Sequence, residues 1–293
     1  MVNSLGSAGT RLSTCLLVSV LALAACSGEP DPPPPDGIIE YVALGDSYTA
    51  APRTPDTGLS VPCFRSDENY PHLVADRLPD VRLTDVSCSG ATSAAMTEEQ
   101  SSRGHPVPPQ LDALSEEAEL VTVGIGGNDE NLFLSWFVQC AQLAPTDPRG
   151  SPCADENRTP DGDRLLDLVP TIEDNVRAIL RKVKKRAPSA QVIAVTYPRV
   201  FPAGGTCDLA AAYAVGDHAY INRIVQALSD AIEAAAKDVG VDWVDVYGAS
   251  RGHDVCSDEP WVNGVTEDQT LANVLHPLPT EQAAVARMIL EKL

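Results

Sequence analysis

Basic residues are scarce: Lys and Arg together number 21 against 41 Asp and Glu, for a formal net charge of -20 at pH 7. An excess of negative charge on this scale argues against sequence-independent binding to nucleic acid or to an anionic lipid surface. Long apolar runs are also lacking. Leu16 to Ala25 is the candidate, and it falls short of the roughly 20 residues that a bilayer span needs. There is no Cys-x-x-Cys and no tight Cys/His cluster, so a metal site is not expected. Gly124-Ile125-Gly126-Gly127 is not the dinucleotide fingerprint, because its third glycine is misplaced, and no cofactor is expected. No internal repeat is visible.

What is present begins with a targeting segment. Arg11 is the sole basic residue ahead of the apolar run, which ends Leu23-Ala24-Ala25-Cys26. That ending resembles a bacterial lipobox, which implies a leader over residues 1–25 and a Cys26 that takes a diacylglycerol thioether. An ordinary secretory leader cleaved nearby is the alternative. Residues 26–37 are rich in proline (Pro30 and Pro32 to Pro35) and read as a semi-rigid tether, able to hold a domain roughly 30 Å from a membrane at ~3.1 Å per residue. Six cysteines follow: Cys63, Cys88, Cys140, Cys153, Cys207 and Cys256. An even number in an exported chain suggests disulfides, and the residues alone leave every pairing open. The expected location is extracytoplasmic.

From Ile38 onward, short apolar runs alternate with amphipathic stretches. Tyr41–Leu44, Val81–Val86, Leu120–Val123, Gln191–Thr196 and Val241–Val246 read as strands. Helices are expected over Asn69–Leu78, Pro108–Glu117, Asp129–Leu143 and Thr171–Arg186. Two more are a long helix striped by Ile221, Ile224, Val225, Leu228 and Ile232, and a last one from Pro279. The loop over Pro145 to Asp163 is polar. The alternation predicts one α/β domain over residues 38–293, a three-layer α/β/α sandwich on a mainly parallel five-stranded sheet.

The first three strands end in small, turn-forming residues: Asp46-Ser47, Ser89-Gly90 and Gly127-Asn128. In a parallel sheet those ends share one edge and line one crevice. A serine there needs a base to attack an acyl carbon. The chain offers five histidines, and His276, just ahead of the final helix, sits where a loop can return to that edge. Asp46 is expected to brace the turn, and Asp129 to cap the helix after it.

Gly45-Asp46-Ser47, then Gly90, then Gly126-x-Asn128-Asp129, then His276-Pro277 resembles the SGNH (GDSL-type) hydrolase family, and within it the secreted actinomycete lipases and esterases with three disulfides. The resemblance implies the SGNH hydrolase fold and a catalytic Ser47 with His276 as general base. It also implies an oxyanion hole built from the N–H groups of Ser47 and Gly90 and the side-chain amide of Asn128. The disulfides it implies are Cys63–Cys88, Cys140–Cys153 and Cys207–Cys256.

The family usually has Asp three residues before the histidine, where this chain has Asn273. An equivalent Asp-to-Asn change lowers turnover of a serine protease by about 10⁴, through the wrong imidazole tautomer. A main-chain carbonyl holding the ring would avoid that loss. A Ser–His dyad is therefore expected, with Asn273 a spectator or weak orienter. A remote carboxylate from Asp254 or Asp268 is the less favoured source. The expected protein is a monomeric, extracytoplasmic serine esterase or lipase acting on a small-molecule or lipid ester, held to the membrane through Cys26. The alternatives are a carbohydrate O-acetylesterase of the cell envelope and a catalytically inactive lipoprotein binding module.

Overall fold

The computed structural model describes residues 37–54, 63–265 and 270–293. The leader, Cys26, nearly all of the tether and Asp268 lie outside the described residues.

Five strands form one sheet: β1 (Glu40–Gly45), β2 (Arg82–Asp85), β5 (Leu120–Gly124), β6 (Gln191–Val195) and β7 (Asp242–Val244), in the order β2-β1-β5-β6-β7. Every pairing in it is parallel. Alternation along each strand divides the interior into two cores, because successive side chains leave a strand on opposite faces. Tyr41 and Ala43 pack with Tyr70 and Val74 of α2 (Tyr70–Ala75) and with Val285 and Ile289 of α8 (Pro279–Leu290). Val42 and Leu44 face the other way, toward Ile172 and Val176 of α5 (Val169–Arg186) and Ile221 and Ile224 of α6 (Asp217–Val239). The result is the three-layer α/β/α sandwich that the alternation predicts.

Several boundaries differ from the sequence expectation, each for a local reason. The helix expected from Asp129 starts three residues later, as α3 (Leu132–Leu143). Glu130 and Asn131 take left-handed conformations (φ 52° and 57°) that interrupt it. The helix expected over 108–117 is a single 3-10 turn, Gln110–Ala113. Within the loop after Thr97, β3 (Gln100–Ser102) and β4 (His105–Val107) form a small antiparallel hairpin that period-two patterning does not reveal. The polar 145–163 loop contains α4 (Pro152–Asn157), and the described residues also include two one-turn helices, α1 (Ser47–Ala50) and α7 (Val246–Ala249).

The cysteines are joined Cys63–Cys88, Cys140–Cys153 and Cys207–Cys256. The first ties the loop after α1 to the end of β2, and the second ties α3 to α4.

In this strand order the chain leaves β1 toward β2 on one side and comes back to β5 on the other. That is the topological switch point, where the diverging connections open a crevice at the carboxyl ends of the strands. Ser47 follows β1 and Asn128 follows β5, so both belong to the rim of that crevice.

Candidate active site

Gly45 ends β1 in register with Gly124 of β5. A Cβ at Gly45 would lie 2.1 Å from Thr49 Oγ1 and 2.8 Å from the Gly124 carbonyl oxygen, and the latter is backbone that cannot give way. Only glycine lets the two strand ends come this close. The Gln110 side chain then replaces a strand neighbour, accepting from the Gly45 N–H (2.8 Å) and donating to its carbonyl (2.9 Å). Asp46 follows with its carboxylate accepting from the Tyr48 N–H at 2.9 Å, which starts α1 and sets Ser47 on its first turn. Asp46 thus braces the turn.

The second rim segment is fixed by a disulfide. Cys88 is joined to Cys63, the Ser89 N–H donates to the Cys63 carbonyl (3.1 Å), and Gly90 turns through a left-handed φ of 79°. The third segment is Gly126-Gly127-Asn128. Asn128 Nδ2 donates to the Ala91 carbonyl at 3.0 Å, which orients the amide and, among the described residues, leaves its second N–H uncommitted. Asp129 does not cap the following helix. Its Oδ1 accepts from the Ser93 N–H (2.7 Å) and its Oδ2 from Asn175 Nδ2 (3.2 Å), so it couples the Gly90 segment, the Asn128 segment and α5. The capping expectation fails because the left-handed Glu130 and Asn131 separate Asp129 from α3.

His276 is held by its own turn. Its N–H donates to the Asn273 carbonyl (3.2 Å), while Leu275 adopts φ 58° and its carbonyl accepts from Tyr48 Oη at 2.7 Å. His276 Nδ1 lies 2.8 Å from the Val274 carbonyl. A carbonyl can only accept, so Nδ1 carries the proton and Nε2 is left as the basic nitrogen. Burial lowers the imidazole pKa below its ordinary value, partly opposed by the bond to Val274. The Asn273 side chain makes no hydrogen bond among the described residues, and Asp254 Oδ1 accepts from the Cys256 N–H in a turn of its own.

Ser47, Gly90, Asn128, Asn273 and His276 all line one cavity of about 410 Å³. Its apolar wall comes from Phe133, Leu134 and Phe137 of α3. A larger cavity of about 650 Å³ between 141–149 and 206–215 contains none of these residues. Size does not identify the site here, and the convergence of polar groups does. The remaining four histidines are elsewhere: His72 bonds to Asn69, His105 is in β4, His253 bonds to the Glu259 carbonyl, and His218 stacks on Phe201. Among the described residues no hydrogen bond joins the Ser47 hydroxyl to the His276 ring.

Sequence reasoning missed Tyr197. It follows β6, and its hydroxyl donates to Asp46 Oδ2 (2.6 Å) and accepts from the Gly127 N–H (2.8 Å). Its place at the carboxyl end of a central strand was the available signal. Burial raises the Asp46 pKa to about 7, with the bonds from Tyr197 and Tyr48 pulling the other way and the Asp129 charge adding to the rise.

A serine, a tautomer-fixed histidine and neutral donors are brought together at one switch point. The chain belongs to the GDSL-like Lipase/Acylhydrolase family, whose model matches residues 43–283. It is a lipase/esterase of that family, and its relatives are named accordingly. "Lipase 2" of Streptomyces coelicolor is 39% identical over 224 residues, covering 74% of this chain and 73% of that protein. An esterase of Streptomyces scabiei is 30% identical over 305 residues, covering 92% and 86%. Among solved structures, phospholipase A1 from Streptomyces albidoflavus NA297 superposes with a TM-score of 0.74 at 25% identity, covering 88% of this chain and 100% of that one.

Proposed function

We propose that this protein hydrolyses carboxylic esters through an acyl-enzyme on Ser47, with His276 as general base and no carboxylate partner for the histidine. Ser47 Oγ attacks the acyl carbon as its proton passes to His276 Nε2. The tetrahedral oxyanion is held by the N–H groups of Ser47 and Gly90 and by the free N–H of Asn128, and loss of one such donor costs about 3 kcal/mol of barrier. Collapse expels the alcohol, which takes the proton back from Nε2. Water then attacks the acyl-enzyme with the same histidine as base.

The observation that carries this reading is the 2.8 Å contact of His276 Nδ1 with the Val274 carbonyl. It gives the ring the tautomer that an Asp would otherwise enforce, at the position where this chain has Asn273. Hydrolysis of a p-nitrophenyl ester tests it. Activity should vanish in Ser47→Ala and fall by several orders of magnitude in His276→Ala. An undiminished Ser47→Ala rate would end the proposal.

The site is proposed to work outside the cytoplasm, on a domain spanning residues 38–293 tethered through a lipidated Cys26. The support is the Leu23-Ala24-Ala25-Cys26 sequence and the three disulfides. Cys26→Ser should release the protein from membranes or leave it unprocessed. A processed mutant that fractionates like wild type would refute the anchor.

A further inference from the structure

The lining of the Ser47 cavity has an unusual charge for this chain. In a protein with 41 acidic and 21 basic residues, the described residues of the lining include no Asp or Glu and one arginine, Arg53. Among the described residues Arg53 forms no ion pair and no hydrogen bond. A second cation stands at the margin: the Arg103 guanidinium lies over the ring of Phe64, another lining residue, 4.7 Å from its centroid.

The backbone beneath Arg53 is pinned on both sides to the segment that carries the histidine. The Pro52 carbonyl accepts from the Asn273 N–H (3.2 Å), and Thr54 Oγ1 donates to the Pro277 carbonyl (2.9 Å). Between these anchors Arg53 is held at φ 65°, a left-handed conformation that disfavours any side chain with a Cβ. A non-glycine residue kept in a strained conformation at a cavity wall points to a side chain needed there. Arginine at such a place offers a planar fork of donors that matches a phosphate or carboxylate. The half-buried setting reduces screening by bulk water.

We propose that Arg53 is an anion-recognition residue of the substrate cavity, and that the preferred esters carry a negative charge, phosphate or carboxylate, on the alcohol side of the scissile bond within an arginine's reach. The inference rests on the Ser47–His276 reading above and deepens it by naming the substrate class. The apolar wall from Phe133, Leu134 and Phe137 takes the acyl chain, and Arg53 takes the charged end of the alcohol.

The test uses the purified protein and three octanoyl esters that differ only in the alcohol: 1-octanoylglycerol, 1-octanoylglycerol 3-phosphate and 3-octanoyloxy-2-hydroxypropanoate. In wild type, kcat/KM for one or both anionic esters should exceed that for the neutral ester by about tenfold or more, the scale of one charge-assisted hydrogen bond. Preference for the phosphate ester alone, or for the carboxylate alone, identifies which anion is recognised. Arg53→Gln should collapse the ratio of anionic to neutral kcat/KM toward unity, Arg53→Lys should keep part of it, and Arg53→Glu should invert it. Because each ratio is taken within one protein, a change in folded fraction cancels. A wild-type preference for the neutral ester, or a ratio unchanged in Arg53→Gln, overturns the assignment while leaving the ester-hydrolase reading intact. Failure of wild type to cleave any of the three, or cleavage that survives Ser47→Ala, removes the catalytic reading and this inference with it.

Discussion

Tyr197 Oη donates to Asp46 Oδ2 across 2.6 Å, joining residues 151 positions apart, and the same oxygen accepts the Gly127 N–H at 2.8 Å. One buried hydroxyl therefore couples the turn that carries Ser47 to the turn that carries Asn128. Tyr197→Phe keeps the ring packing against Tyr48 and Phe133 while orphaning the Gly127 N–H. The expected outcome is a ten- to hundredfold loss of kcat, about 1.4–2.7 kcal/mol of barrier, with a much smaller change in KM. Steady-state kinetics beside a melting curve decide the case. A lower melting temperature with kcat unchanged would make the bond a structural brace and nothing more.

Asn273→Ala should retain ester hydrolysis within about tenfold of wild type, ~1.4 kcal/mol in barrier, because the Val274 carbonyl is untouched by a side-chain truncation at 273. The midpoint of the acid limb of kcat/KM should lie below the usual histidine value, since burial disfavours the imidazolium. Asn273→Asp, if its carboxylate reaches the ring, should move that limb upward. A thousandfold loss in Asn273→Ala, roughly 4 kcal/mol, with circular dichroism unchanged would make the amide the true orienter.

The three disulfides close loops of different length, and the entropic account of cross-linking ranks them. Cys140 and Cys153 are 13 residues apart, Cys63 and Cys88 are 25, and Cys207 and Cys256 are 49. Loop-closure entropy gives about 3 kcal/mol for the shortest and about 4 for the longest. Paired Cys→Ala variants should therefore lose stability to urea in that order. Removing Cys63–Cys88 should in addition lower kcat, because that bridge anchors the Gly90 turn. A Cys63/Cys88 variant with reduced stability and full kcat would contradict the second half.

How much of this was legible in the sequence follows from what each feature depends on. Strand positions and their common edge came from apolar runs such as Tyr41–Leu44, because burial on both faces writes itself into composition. The helix expected over Thr171–Arg186 is α5, whose apolar positions Ile172, Val176, Ile179, Leu180 and Val183 recur at helical spacing and are all buried. The β3–β4 hairpin left no such mark, since its three-residue strands pair mostly through backbone and β4 contains Pro106. The Val274 carbonyl could be anticipated only as a type of group, because a main-chain acceptor has no residue identity. Tyr197 and Arg53 were hidden for a third reason: their relevance lies in tertiary proximity to Asp46 and Ser47.

The last prediction concerns a carboxylate outside the catalytic group. Glu281 lies in the first turn of α8 and is 3% exposed, and its Oε2 accepts from Gln282 Nε2 at 2.7 Å. Gln282 also donates to the Tyr48 carbonyl and accepts from the Tyr70 N–H, so the pair sits between α8 and α1. Burial raises the Glu281 pKa from 4.5 to about 8, opposed by the Gln282 hydrogen bond. The folded protein then keeps a proton that the unfolded chain releases near 4.5. Stability should be full below that pH and fall as pH rises toward about 8, by up to ~1.4 kcal/mol per pH unit within the window. Glu281→Gln mimics the protonated form and keeps an oxygen for the Gln282 amide. Its unfolding free energy should match wild type near pH 4.5 and exceed it by a margin that grows until about pH 8. Asp46, raised to about 7 by the same cause, contributes a slope in the same direction that the variant retains, so the comparison isolates Glu281. Urea melts of both proteins across that range measure the difference. A gap that stays constant with pH would mean that Glu281 is ionised in the folded protein throughout.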